Sequence, residues 1–312
     1  MSLNVLRTAD AWWLSRPDGA VRIETAATTT GELLADRAAV EAAGTDGTAV
    51  AVASLSLVSP VTAPCRVVAQ MTNFASHAKD ANMDPRSVPL TFFRKASGSI
   101  NGPYDDIVRP THVTLLDYEV EIGVVLGRDL PVGTTLTAAD LPGLIAALVI
   151  TNDISARDVQ LPKTQFYEGK SYPTFTPVGP VLAILEPGEL ERFADLRLQL
   201  WVNGELRQDQ TADDIIYGPL EALQALSRFQ HLAAGDLLLT GTPIGTALSA
   251  PPKPVEIIGA FLPAATKWKI FLGKQAKNPK YLQDGDLVEV AIATDDKAID
   301  LGQQRGSVRW TR

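Results

Sequence analysis

Asp117, Glu119 and Glu121 occupy alternate positions in the run Asp117-Tyr118-Glu119-Val120-Glu121, and Asp153 follows the apolar run 144–150. If residues 116–125 form a strand, the period of two sends all three carboxylates to one face and Val120, Ile122 and Val124 to the other. Clustered carboxylates repel one another, and burial makes them costlier. A bound divalent cation relieves both costs, with Asp153 as a further ligand. A donor set of oxygen alone, without His or Cys, favours Mg²⁺, Mn²⁺ or Ca²⁺ over Zn²⁺. The competing reading is a solvated strand face with Asp153 unrelated to it.

Other residues add acid–base chemistry. His77 and Asp80 stand three apart in a polar, helix-prone stretch, 73–82, which prolines at 85 and 89 interrupt. That spacing puts them on one helix face, within hydrogen-bonding reach. A carboxylate beside an imidazole fixes its tautomer and raises its pKa, so the pair could deprotonate water; a plain surface pair is the alternative. Lys95, in Phe92-Phe93-Arg94-Lys95, and Lys170, in Glu168-Gly169-Lys170-Ser171, could each stabilise developing negative charge. Gly169-Lys170-Ser171 imitates the end of a P-loop, but Thr164 replaces the required glycine and Pro173 breaks the helix, so a nucleotide site is excluded. Thr240-Gly241-Thr242-Pro243 ends an apolar run and either holds a carboxylate or is a simple turn. His112 and His231 lack partners at ligand spacing. No Gly-x-Ser-x-Gly elbow is present, which argues against a serine hydrolase.

These residues need a scaffold. With 312 residues, 46% hydrophobic and 21% charged, the chain is an ordinary globular one. A net charge of −8 argues against general binding to nucleic acid or an anionic membrane, but not against a small anionic substrate. The single cysteine, Cys65, excludes a disulfide framework. The expectation is a cytoplasmic protein with neither signal peptide nor bilayer span.

Short β-prone runs with turns between them predominate, so the fold class is β-dominated α+β. Residues 1–63 read as a small N-terminal β-rich module, with a β-prone run at 49–58, one short helix over 31–41 and a boundary at 60–64. Residues 64–312 read as the catalytic domain, with strands at 65–70, 113–125, 144–150, 180–184, 196–202, 237–240 and 287–292. Helical runs are expected at 137–141, 219–227 and 255–262. An insertion at about 251–280 carries Lys267, Lys269, Lys274, Lys277 and Lys280. It is either an anion- or partner-binding element or a solvated two-helix insertion whose Trp268, Ile270, Phe271 and Leu272 pack on the core.

Taken together, the chain resembles the fumarylacetoacetate hydrolase superfamily. The carrying segments are Asn73-Phe74-Ala75-Ser76-His77, Phe93-Arg94-Lys95, Asp117-Tyr118-Glu119-Val120-Glu121, Asn152-Asp153-Ile154-Ser155-Ala156-Arg157-Asp158, Lys170-Ser171, Pro177-Val178-Gly179-Pro180, Val202-Asn203-Gly204, Thr240-Gly241-Thr242-Pro243 and Asp284-Gly285-Asp286, in the family's order. The resemblance implies a mixed β-roll, a homodimer and one Mg²⁺ or Mn²⁺ held by Glu119, Glu121 and Asp153. It implies Lys170 near the substrate carbonyl, Lys95, Arg157 and Gln160 as substrate contacts, and Thr242 holding a carboxylate. It implies His77 as the water-activating residue, with Asp80 where the family's usual partner is a Glu. Tyr167, Phe166 and residues from Met83 onward would meet the substrate's distal group. The substrate class is small anionic 2-oxo acids. The reaction expected is C–C hydrolysis of an acylpyruvate, such as fumarylpyruvate or maleylpyruvate from aromatic degradation, through a pyruvate enolate. Oxaloacetate decarboxylation and 2-hydroxydienoate isomerisation or hydration are alternatives; a non-catalytic metal-binding protein is a distant one.

Overall fold

A computed structural model describes residues 2–250 and 262–311. Its main sheet has nine strands in the order β3-β2-β1-β13-β10-β9-β16-β4-β5. These are β1 (Leu3–Arg7), β2 (Trp12–Arg16), β3 (Gly19–Arg22), β4 (Val67–Gln70), β5 (Phe92–Lys95), β9 (Val120–Leu126), β10 (Ile145–Asn152), β13 (Leu182–Ile184) and β16 (Leu237–Leu239). A second sheet has five strands, β15 (Glu205–Thr211), β14 (Leu196–Val202), β17 (Leu287–Thr294), β18 (Asp300–Trp310) and β7 (Ile107–Arg109), in that order. Two short pairs complete the roll: β11 (Ser155–Ala156) with β8 (Leu116–Asp117), and β12 (Thr176–Pro177) with β6 (Ile100–Asn101). The architecture is the strand-rich α+β arrangement expected.

β9 lies at the centre, and all seven of its residues are buried. Its alternation divides the core. Val120, Ile122 and Val124 join the cluster that contains Leu198, Leu200, Val290 and Ile292 of the second sheet. Val125, on the opposite face, joins Val67, Ala69, Leu237 and the N-terminal Val5, Leu14 and Val40. Residues 1–63 therefore add strands to the main sheet, through β1 on β13, and share its second core.

Several local expectations change. Residues 49–58 form no strand beyond a bridge from Val50 to Ala20; a 3-10 turn, Val52–Ser54, ends the extended stretch, and Leu55 and Leu57 pack on the core without a strand partner. The single helix expected over 31–41 is two, Thr30–Ala35 and Arg37–Thr45, meeting at Asp36. The 116–125 strand breaks at Tyr118 and Glu119, between β8 and β9. The expected helix at 137–141 is a 3-10 turn, Ala138–Asp140, followed by a short helix, Leu141–Leu144. Residues 255–261 of the expected helix at 255–262 lie outside the described residues. Pro219–Ser227 is the helix expected, with proline in its first turn where no N–H is needed. No helix among the described residues is long and apolar enough to cross a membrane.

Candidate functional site

The site forms where the end of β10 lies beside the start of β9. They pair antiparallel, with Thr151 opposite Glu121 and Asn152 opposite Val120. The chain then turns: the Asp153 N–H donates to the Glu119 carbonyl at 2.8 Å, and the Glu119 N–H donates to Asn152 Oδ1 at 2.9 Å. Glu119, Glu121 and Asp153 consequently offer carboxylate oxygens that all lie within 4.8 Å of one another. Relative exposures of 5%, 2% and 0% exclude the solvated-face reading.

Asp117 is buried too but stands outside this set, because the break at Tyr118 and Glu119 ends the alternation. It accepts hydrogen bonds from the Ala247 N–H at 2.7 Å, the Leu248 N–H at 3.1 Å and Arg157 Nε at 2.8 Å. Asp117 thus positions a cation rather than offering a metal ligand.

Three buried cations surround the carboxylates. Lys170, at the end of the 3-10 turn Glu168–Lys170, donates to Glu119 and Asp153. Lys95, on β5, donates to Asp153 and to the Phe175 carbonyl at 2.9 Å. Arg157 donates to Asp117, Glu119 and Gln160 Oε1, the last at 3.0 Å. Burial pushes the Glu119 carboxyl up, but Arg157 and Lys170 outweigh it and hold the group below the usual range. Burial, together with the charges of Asp153 and Glu119, drives Glu121 well above its ordinary value. Burial lowers Lys95 despite Asp153 beside it. Lys170 is raised, because Asp153 and Glu119 overcome its burial.

This donor set fits a hard divalent cation. Four buried carboxylates, Asp117 included, meet three buried cations, leaving surplus negative charge around Glu121. One divalent ion reverses that surplus, and a monoanionic substrate restores neutrality.

The Thr240-Gly241-Thr242-Pro243 turn does hold a carboxylate, that of Glu121: the Gly241 N–H donates to Glu121 Oε2 at 2.7 Å. Gly241 has φ +84°, and a Cβ there would meet the Asn73 Cβ at 2.8 Å, so glycine is required. Thr242 Oγ1 accepts from Gln208 Nε2 at 2.9 Å and borders a cavity beside the carboxylates.

A cavity of about 340 Å³ opens onto these groups. His77, Asp80, Glu119, Glu121, Asp153, Arg157, Gln160, Lys170 and Thr242 all line it. His77 comes from the helix Ala75–Asp80, and burial lowers its pKa. Its Nδ1 is buried without a hydrogen-bond partner, whereas Asp80 is exposed. The hydrogen-bonded pair expected from the spacing is therefore not made through Nδ1; Asp80, at the end of a six-residue helix, acts on the imidazole through charge alone.

Two expected substrate contacts are placed elsewhere. Lys95 is absent from the cavity lining, because its ammonium is engaged by Asp153 and Phe175. Tyr167 is 54% exposed and borders a separate surface depression, while its neighbour Phe166 turns into the cavity. His112 bonds Tyr172, and His231 approaches Asp129 at the surface. Gln208 is a site residue that the sequence did not mark, and Lys267, Trp268 and Phe271, read there only as parts of the insertion, line the cavity. Gln208 lies in the polar strand β15, and the other three lie on the insertion helix Ala264–Gln275.

The model of the fumarylacetoacetate (FAA) hydrolase C-terminal family matches residues 66–309, from just past the 60–64 segment through β18. The chain belongs to the fumarylacetoacetate hydrolase family. A mitochondrial oxaloacetate tautomerase of Rattus norvegicus is 33% identical over 199 residues, 64% of this chain and 62% of the relative. A 2,4-didehydro-3-deoxy-L-rhamnonate hydrolase of Sphingomonas sp. is 34% identical over 214 residues, 66% of this chain and 73% of the relative. Among solved structures, a probable 2-hydroxyhepta-2,4-diene-1,7-dioate isomerase from Mycobacterium abscessus superposes with a TM-score of 0.76 at 29% identity, covering all of both chains. The match thus spans under two thirds of the rat relative's length. Within the family, then, similar chains carry names for tautomerisation, hydrolysis and isomerisation.

Proposed function

We propose that this family member hydrolyses the C–C bond of an acylpyruvate, a β-diketo acid, with Mg²⁺ or Mn²⁺ at Glu119, Glu121 and Asp153. The observation that carries this reading is His77. A half-buried imidazole, its pKa lowered and its Nδ1 buried and unpartnered, lines the same cavity as the carboxylate cluster. Such a group is neutral at physiological pH and available to take a proton.

When bound, the ion supplies Lewis-acid polarisation of the 2-oxo acid. The chain's residues do the rest. Arg157, Gln160 and Thr242 border the space for the substrate's carboxylate. His77 takes a proton from water, and the hydroxide adds to the distal carbonyl carbon. The tetrahedral adduct collapses, the C–C bond breaks, and its electron pair passes to the pyruvate fragment as an enolate. The Lys170 ammonium stabilises that charge, and the imidazolium returns the proton to carbon. The products are pyruvate and a carboxylic acid.

Oxaloacetate tautomerisation is a second reading, favoured by the name of the rat relative. It needs the enolate of intact oxaloacetate, reached by moving a proton at C3 with no C–C bond broken and no water added. Purified protein with Mg²⁺ or Mn²⁺ should be offered acetylpyruvate, fumarylpyruvate and oxaloacetate, following pyruvate, released acid and the enol absorbance. Equal amounts of pyruvate and acid from an acylpyruvate establish hydrolysis. Enol–keto equilibration of oxaloacetate, with no pyruvate from any substrate, replaces hydrolysis by tautomerisation. Pyruvate from oxaloacetate alone identifies a decarboxylase.

A further inference from the structure

The helix Ala264–Gln275 belongs to the insertion, yet it closes one wall of the cavity. Its C-terminal end is fixed: Gln275 is buried, its Nε2 donates to the Ser249 carbonyl at 3.0 Å, and its Oε1 accepts from the Tyr281 hydroxyl at 3.0 Å. Asn278 Nδ2, just beyond, donates to the Ala247 carbonyl at 2.7 Å. Leu272 packs on the main core, while Ile270 is 58% exposed. Trp268 and Phe271 do not pack there; they line the cavity, edge to face at 6.0 Å. A second aromatic pair, Phe93 and Phe166, lines it as well, with centroids 5.8 Å apart, and Leu248 adds to this apolar surface.

The cavity lining thus combines two kinds of surface. The carboxylates, Lys170, Arg157 and His77 supply charge and proton-transfer groups, and Trp268, Phe271, Phe93, Phe166 and Leu248 supply apolar area; Phe93 joins the two, its ring centroid 5.2 Å from Lys170 Nζ. We propose that Trp268 and Phe271 are specificity-determining residues that receive a bulky apolar acyl group, such as an aryl or long alkyl group, at the distal end of the 2-oxo acid. A distal carboxylate, as in fumarylpyruvate, would depend on Lys267, which is exposed on this helix and shares the lining with Asp80. An exposed ammonium holds a carboxylate weakly, whereas four aromatic rings offer a large area to an apolar group.

The inference rests on the 2-oxo acid part of the proposed function and not on the cleavage step. Its test is therefore binding, with ligands that cannot be hydrolysed. Calorimetry of the full chain with Mg²⁺ compares 4-phenyl-2-oxobutanoate with 2-oxoglutarate, which share a head group and differ at the far end. The phenyl ligand is expected to bind at least about tenfold tighter, the scale on which apolar pockets discriminate. The double variant W268A/F271A should erase that preference and leave 2-oxoglutarate within about twofold; F271L should retain most of it. Tighter binding of 2-oxoglutarate, lost in K267A, overturns the proposal in favour of a distal carboxylate. Binding of neither ligand overturns both this proposal and the 2-oxo acid reading. Selective binding of the phenyl ligand, without turnover of any acylpyruvate, leaves this inference standing and removes hydrolysis.

Discussion

Asp117 Oδ2 accepts a hydrogen bond from Arg157 Nε at 2.8 Å, with both side chains inside the core. This contact fixes the plane of the guanidinium, so that its other nitrogens reach Glu119 and Gln160. Asp117→Asn keeps the shape and removes the charge, leaving Arg157 with only Glu119 to balance it. Removing one member of a buried ion pair costs roughly 3–5 kcal/mol. The midpoint of urea unfolding should fall accordingly, and KM for the 2-oxo acid should rise more than kcat falls, because Arg157 is no longer aimed. A variant with unchanged midpoint and KM would show that Asp117 does not position Arg157.

Glu121 is the carboxylate that its neighbours make hardest to ionise, through burial and the charges of Asp153 and Glu119. A divalent ion removes that penalty, so binding should couple strongly to stability. Mg²⁺ or Mn²⁺ at one hundred times its dissociation constant should add about 2.7 kcal/mol, read as a rise in melting temperature that grows with ion concentration. Glu121→Gln should be at least as stable without added ion and should lose the ion-dependent rise. A rise of equal size in both proteins would exclude Glu121 as a ligand.

The resemblance and the residue types made the buried carboxylate cluster legible, since Glu119, Glu121 and Asp153 all come from segments with clear apolar patterning. What the pattern could not show was the break at Tyr118 and Glu119, which takes Asp117 out of the set. Alternation holds only while a strand continues, and hydrogen bonding across space, not local spacing, ended this one. β15 was equally hidden: Glu205–Thr211 contains mostly polar side chains, and its membership of the five-stranded sheet is decided by β14 beside it. The insertion was legible as a basic run and as a helical element, with Trp268, Ile270, Phe271 and Leu272 expected together on the core. That Trp268 and Phe271 face the cavity while Ile270 faces solvent follows from where Gln275 and Asn278 anchor the chain, a long-range fact without local signature.

His77 is held below its ordinary pKa by burial. The native state therefore binds fewer protons at this site than the unfolded chain does. The stability it contributes is complete above the unfolded value of about 6.5 and is lost as pH falls through that value towards the folded one. His77→Asn should flatten this part of the profile, so the wild type should lose more stability than the variant between pH 7.5 and 5.5. The same shift sets the acid limb of kcat/KM, which should lie below the pH at which an exposed imidazole titrates. An acid limb above 6.5 would mean that His77 is stabilised in its charged form and is not the base.

Gln208 ties the two sheets together at the site. From β15 it accepts the Val120 N–H at 3.0 Å through Oε1, and its Nε2 donates to Thr242 Oγ1 and to the Pro243 carbonyl, both at 2.9 Å. One amide thus spans the start of β9, which carries Glu121, and the turn whose Gly241 N–H holds that carboxylate. Gln208→Leu preserves volume but leaves the buried Val120 N–H and Pro243 carbonyl without this partner. Each such loss costs about 1–3 kcal/mol. Beyond lower stability, the variant should bind Mg²⁺ or Mn²⁺ more weakly, because the turn behind Glu121 is no longer held. Gln208→Glu retains the acceptor for Val120 but not the donor for Thr242, so it should lose substrate affinity while keeping more of its ion affinity. If both variants unfold at the wild-type urea midpoint and bind the ion with wild-type affinity, Gln208 does not transmit the position of the second sheet to the site.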